Sequence, residues 1–431
     1  MAARSRDGAV AVSLLADLLS TAFDRASRYV SPGKRDERPV NELVADLISN
    51  RAEIRGLELA RQILDDYASM DDVKKREFFT LLATGMDINA DSVRITLAAY
   101  EKQPSRATYR AFMNAAEPQR QELIRRLNQT SNATASLVAM RHDLLKMAED
   151  DAAFAALDLD FRHLFASWFN RGFLVLRPIN WKSPAHILEK IITYEAVHAI
   201  DSWEELRRRL QPSDRRCFAF FHPSMADEPL IFVQVALTKG IPNSIQGVLT
   251  DERKIIEAGE ADTAVFYSIS NCQPGLVGIS FGNFLIKQVV EDLSRELPGL
   301  TTFVTLSPIP GLANWLESED RNDELDPASL AELAAHYLIE VKRPNGTPID
   351  PVARFHLGNG AMVHGVHPEA DLSASGLAQS HGAMVNYLYD LSAISRNHEL
   401  FANEQKITAA PAVKSLAHRA VKPVEKEEQH G

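Results

Sequence analysis

Thr301-Thr302-Phe303-Val304-Thr305-Leu306-Ser307-Pro308-Ile309-Pro310-Gly311 reads as an apolar, β-prone run that stops at a serine boxed in by prolines. A proline fixes its own φ and pushes the residue before it toward extended backbone, so Ser307 is held at the end of a strand with few conformations open to it. Just upstream, Gly275-Leu276-Val277-Gly278-Ile279-Ser280-Phe281-Gly282 leads into a helix with Ile286, Val289 and Val290 on one face, stopped by Pro298-Gly299. Downstream, His356 lies in Phe355-His356-Leu357-Gly358-Asn359-Gly360-Ala361, a pattern that reads as a strand side chain near a turn, able to exchange a proton near neutral pH. Further strands are expected over residues 173–176, 217–221, 230–237 and 263–269, with helices over 183–199 and 282–297. Strands and helices alternate, so from about residue 171 the chain is a mixed α/β domain.

The first 170 residues have another rhythm. Leu43-Val44-Leu47-Ile48, Leu57-Leu59-Ile63-Leu64 and Leu123-Leu127 recur at helical spacing between charged residues, and polar starts at Ser105 and Thr134 lead into further amphipathic faces. This region is expected to be a helical bundle, with residues 9–23 forming an amphipathic helix. It offers no catalytic cluster, and His163 reads as part of a helix packing face.

Composition narrows the functional classes. The 431 residues carry a net charge of −11, which opposes general nucleic-acid binding, since that affinity rests on lysine and arginine neutralising phosphates. Cys217 and Cys272 are the two cysteines, too few for a disulfide framework or a cysteine-type zinc site. No stretch approaches the roughly 20 apolar residues that span a bilayer. A secretory signal would need a continuous apolar core, and a mitochondrial presequence would avoid acids such as Asp7, Asp17 and Asp24, so a cytoplasmic location is expected.

Taken singly, a Ser-Pro turn or a packed histidine is common in proteins that catalyse nothing, and a glycine-rich turn can be an ordinary connection. Together with Arg177-Pro178-Ile179-Asn180-Trp181, Glu228-Pro229-Leu230-Ile231-Phe232-Val233, Phe266-Tyr267-Ser268-Ile269-Ser270 and Gly282-Asn283-Phe284-Leu285-Ile286-Lys287, these segments resemble the malonyl-CoA decarboxylase family over residues 170–395. The resemblance implies a catalytic, acyl-CoA-binding domain with a GNAT acetyltransferase-like mixed α/β fold over 171–412; the helical region, over residues 1–170, is then expected to serve oligomerisation and support, and where the hydrophobic rhythm fades a charged, flexible tail is expected over 413–431. It implies decarboxylation of malonyl-CoA to acetyl-CoA and CO2 through a thioester enolate, with Ser307 and His356 handling carboxylate positioning and proton transfer.

By the same resemblance, Val277, Gly278, Ile279, Ser280, Phe281, Gly282 and Asn283 form the coenzyme A loop, where backbone amides at a helix N-terminus can meet pyrophosphate. Family members carry an acid at the position of Ser280 that assists the histidine, so a dyad rather than a triad is carried over. No cofactor or metal is expected, coenzyme A being part of the substrate, and the partners implied are malonyl-CoA, acetyl-CoA and further copies of the chain, as a dimer or tetramer. His364, His367 and His381 around Asp371 match no common metal spacing. His222 reads as a strand end, and Asn386-Tyr387 fits a partly buried helix. Two other classes share the fold or the ligand: an acyltransferase acting on an amine and a noncatalytic acyl-CoA sensor.

Overall fold

A computed structural model of the chain describes residues 35–49, 52–148, 151–279, 285–321 and 325–420. The expected amphipathic helix over 9–23, part of the glycine-rich loop (Ser280, Phe281, Gly282 and Asn283) and residues 421–431 lie outside these, while the first residues of the tail expected over 413–431 belong instead to the helix Pro411–Arg419, which buries Val413 and Ala417. The chain divides into two compact units. One comprises the described residues up to Val175 with Phe221–Leu230 and 273–279, and the other comprises Leu176–Phe220, Ile231–Cys272 and the described residues from 285 onward.

The first unit is built from helices, as the periodicity predicts. Val40–Ser49, Glu53–Ala68, Asp72–Thr80, Gln119–Leu127, Ala133–Met147 and Ala152–Trp168 turn Leu43, Leu47, Leu59, Ile63, Leu123, Leu127, Leu137, Phe161 and Phe165 into a shared core. Ser105 forms a capping box with Thr108 at the start of Arg106–Ala116. Thr134, read as a cap, sits instead inside a helix that begins after Asn132, and its hydroxyl donates to Asn128. The helices Ala90–Lys102 and Arg106–Ala116 pair as a hairpin that buries none of its own residues, leaving Ile95, Tyr109 and Met113 exposed.

The sheet contains β1 (Val175–Ile179), β2 (Arg215–His222), β3 (Met225–Thr238), β4 (Thr263–Asn271), β5 (Thr302–Thr305), β6 (Ser307–Pro308), β7 (Met362–His367) and β8 (Met384–Leu388). Their order is β1-β2-β3-β4-β5-β8-β6, with β7 also paired to β8. β3 and β4 are antiparallel, β4 and β5 parallel, and β8 is antiparallel to β5, β6 and β7. This is the helical region followed by a mixed α/β domain that the sequence leads one to expect.

Four local readings are corrected. The strand expected over 173–176 is a 3₁₀ turn, Arg171–Phe173, followed by β1, which runs through Pro178 because an edge strand tolerates a missing N–H. The helix expected over 183–199 is Ala185–Tyr194 and ends where Glu195 turns inward. Asn386 and Tyr387 belong to strand β8, whose residues 384–387 are buried on both faces. His356 lies on the helix Pro351–Gly358: Asp350 accepts from Ala353 N as its N-cap, Pro351 occupies its first turn, and Asn359-Gly360 closes it rather than forming a hairpin. Gly360 has φ +86, and a Cβ there would lie 2.2 Å from the Ile394 carbonyl oxygen, so glycine is required twice over.

Candidate active site

β5 lies beside β4 only from Thr263↔Thr302 to Phe266↔Thr305. Leu306 N still donates to Phe266 O at 3.0 Å, but Ser307 and Pro308 then pair with Val385 and Met384 of β8. Pro308 and Pro310 have no N–H to offer a ladder, so the chain leaves β4 at Ser307 while β4 continues to Asn271. The resulting gap holds a cavity of about 250 Å³, large enough for an acyl group, walled by Phe266, Tyr267, Ile269 and Val197 and reached by Ser307 and His356.

The two residues singled out in the sequence meet there. Ser307 Oγ and His356 Nε2 are 3.2 Å apart, with Ser307 6% and His356 3% exposed. Ser307 Oγ donates to Thr305 Oγ1 at 2.9 Å, and Thr305 Oγ1 also accepts from Tyr387 N at 3.1 Å. The other imidazole nitrogen, Nδ1, is 2.8 Å from the Tyr389 hydroxyl. The ring of Tyr387 stacks on the imidazole at 4.6 Å, and Phe355 meets it edge-on at 5.0 Å. His356 is therefore gripped at both nitrogens and covered by aromatic surface. Burial pushes its pKa down to about 3, so it is neutral at physiological pH, in contrast to the near-neutral titration read from the sequence. Burial raises the Tyr389 hydroxyl well above its usual value, which keeps its proton in place as a donor.

Sequence reasoning missed the support around this pair. Tyr389 is the principal omission; a strand reading carried one residue past 384–388 would have put residues 387 and 389 on one face. Glu195 escaped notice because its role is tertiary. It is 9% exposed and accepts from Val197 N at 2.8 Å, His198 N at 3.0 Å, Ser268 Oγ at 2.8 Å and Gln234 Nε2 at 2.7 Å, which fixes the turn carrying Val197 into the cavity wall. Gln234 in turn accepts from the Tyr267 hydroxyl at 2.7 Å. Asp350 anchors the histidine helix through Ala353 N at 2.8 Å, with its own pKa raised by burial.

Of the proposed coenzyme A loop, Val277, Gly278 and Ile279 are described: Val277 is 64% exposed, Gly278 has φ +76, and Ile279 is buried. Three of the other histidines singled out in the sequence lie away from this cavity. His367 Nε2 lies 2.5 Å from Asn386 Oδ1, His381 closes the helix Ala374–Ser380 in a left-handed conformation, and His222 ends β2 with Nε2 3.1 Å from the Trp168 carbonyl. Among the described residues no group of three or more histidine, cysteine, aspartate or glutamate side chains could hold a metal.

The fold and site together are a mixed α/β domain in which β4 and β5 diverge around a cavity of about 250 Å³ that Ser307 and His356 help to line. The malonyl-CoA decarboxylase N-terminal domain model matches residues 87–169, and the C-terminal domain model matches 172–329 and 319–429. Malonyl-CoA decarboxylase, mitochondrial, of Anser anser anser is 34% identical over 351 residues, 69% of each chain, and that of Mus musculus is 31% identical over 417 residues, 81% of this chain and 83% of the relative. The crystal structure of malonyl-CoA decarboxylase from Rhodopseudomonas palustris superposes with a TM-score of 0.83 at 48% identity, covering 87% of this chain and 98% of that one. The corresponding structure from Agrobacterium vitis gives 0.82 at 49% identity, covering 88% and 99%. The chain belongs to the malonyl-CoA decarboxylase family.

Proposed function

We propose that this chain decarboxylates malonyl-CoA to acetyl-CoA and CO2, with Ser307 and His356 as its catalytic pair. The observation that carries the reading is a neutral His356 held at both nitrogens, 3.2 Å from Ser307 at an acyl-sized cavity. Because Ser307 gives its proton to Thr305, its oxygen is free to accept from His356 Nε2–H, and Nδ1 then accepts from the Tyr389 hydroxyl. This tautomer places the Nε2–H on Ser307 at the cavity wall.

The chemistry follows from that proton. The described residues lining the cavity include no lysine or arginine, so the substrate carboxylate loses water without gaining a counter-charge, which favours its conversion to neutral CO2. The electrons of the breaking carbon–carbon bond pass to the thioester carbonyl as an enolate. C2 of that enolate takes the proton from His356 Nε2, directly or through Ser307, and acetyl-CoA forms. A neutral imidazole is a weak acid, yet an enolate carbon is a stronger base than imidazolate, and the Tyr389 O–H offsets the charge that grows on the ring. General acid catalysis of this kind is worth roughly 100- to 10,000-fold. One proton is consumed per turnover and is restored from solvent.

The partners are malonyl-CoA and acetyl-CoA, the diphosphate being met by the loop at residues 277–283. The exposed apolar side chains of the helical hairpin, Ile95, Tyr109 and Met113, support self-association into a dimer or tetramer. Two free, buried cysteines fit a reducing compartment, and we assign the cytoplasm; no helix among the described residues is long and apolar enough to cross a membrane. The direct test is purified protein with malonyl-CoA and no amine. Equal amounts of CO2 and acetyl-CoA from the wild type, lost in folded Ser307→Ala and His356→Asn, support the reading. Binding without turnover would favour the sensor, and turnover only with an amine the acyltransferase.

A further inference from the structure

The helix Ala133–Met147 contacts the beginning of the glycine-rich loop at two points one turn apart on the same face. At the first, a Cβ on Gly275 would stand 1.9 Å from the Val138 carbonyl oxygen, so the loop backbone lies against the helix backbone and glycine is required. At the second, Arg141 is 1% exposed, and its Nη1 donates to Gly275 O at 2.7 Å and Val277 O at 2.9 Å. Asp158 on the helix Ala152–Trp168 accepts from Arg141 Nε at 2.7 Å, which makes a buried guanidinium tolerable. One turn along that same helix, the Arg162 guanidinium is 3.7 Å from where a Gly278 Cβ would be.

We infer that Arg141 is a positioning residue that sets the direction of the Val277–Gly278 peptide, so that the amide of Gly278 meets a phosphate of coenzyme A. The peptide is trans, as are all those in the described chain, and a trans peptide points its N–H opposite to its C=O. Tying the Val277 oxygen to Arg141 therefore turns the Gly278 N–H away from Arg141, in a stretch where Val277 is 64% exposed. The neighbouring amides are already committed, Leu276 N to Gln273 O at 2.9 Å and Ile279 N to Leu276 O at 3.0 Å. The positive φ of Gly278 is open to glycine at little cost, and Arg162 adds positive potential beside it. The helical unit thus contributes to substrate recognition as well as to assembly. This inference rests on the coenzyme A reading of the loop.

The test compares kcat/KM for malonyl-CoA with kcat/KM for malonyl-pantetheine, which has the same thioester but no diphosphate, in the intact protein and in Arg141→Gln and Arg141→Lys. In the wild type the ratio should favour malonyl-CoA strongly. Arg141→Gln should lower that ratio by about tenfold, the equivalent of one well-placed hydrogen bond, through KM for malonyl-CoA, while malonyl-pantetheine is turned over as before. Arg141→Lys, which can donate to the carbonyls but cannot also pair side-on with Asp158, should fall between the two and serves alone if the glutamine variant does not fold. A variant that slows both substrates equally, leaving the ratio intact, would overturn the positioning role. A wild type that does not distinguish the substrates would instead overturn the loop reading beneath it.

Discussion

His356 and His367 are both histidines of the mixed-sheet unit, and burial lowers the pKa of each, yet their surroundings differ in kind. His356 has a partner at each nitrogen, an aromatic stack on its face and a cavity in front of it. His367 ends β7, with Nε2 on Asn386 and no place in that cavity wall. A depressed pKa therefore does not by itself single out a site histidine. In the proposed mechanism, what sets His356 apart from a packed histidine is the pair of partners at its two nitrogens and the cavity beside it.

Substitutions can break this comparison at its strong end first. His356→Asn keeps a polar side chain on the helix but removes the acid, and kcat should fall by about 1,000-fold or more, at the upper part of the range for general acids. Ser307→Ala should cost about 100-fold in kcat, because the imidazole proton loses the acceptor that aims it. Tyr389→Phe sharpens the comparison: it retains the ring and removes one hydrogen bond to Nδ1, so kcat should fall about tenfold with little change in KM. His367→Gln should leave kcat within about twofold, as expected for a residue outside the reacting groups. Steady-state kinetics with malonyl-CoA read all four, and a His367→Gln loss as large as that of Tyr389→Phe would remove the distinction drawn above.

The same burial links His356 to stability. Its folded-state pKa of about 3 lies below the value near 6.5 expected in the unfolded chain, so between these the unfolded state binds the extra proton. Stability should therefore decline as pH falls from about 6.5 toward 3, and His356→Asn should make denaturant midpoints less sensitive to acid in that window.

The legibility of this chain follows the range of the forces involved. The helical unit was readable because its periodic apolar positions, such as Leu59 and Ile63, face one core. Ser307 was readable because two prolines constrain it locally. The sequence puts His356 on the wrong element because Asn359-Gly360 reads as a turn after a strand, while the stronger signal, Asp350-Pro351 as an N-cap and first turn, lies six residues upstream. Tyr389 and Glu195 were out of reach for a deeper reason: their contacts with His356 and with Ser268 join residues 33 and 73 positions apart, and no local pattern encodes such meetings.

The most direct test of a neutral-imidazole acid is the pH profile of CO2 release from malonyl-CoA, measured from pH 5 to 8 for wild type and for His356→Asn. With His356 neutral throughout, wild-type kcat/KM should be flat between pH 5 and 7, and the variant should be nearly inactive at every pH. A wild-type rate that climbs as pH falls through about 6.5, the signature of an imidazolium donor, or a variant that keeps wild-type activity, would contradict it.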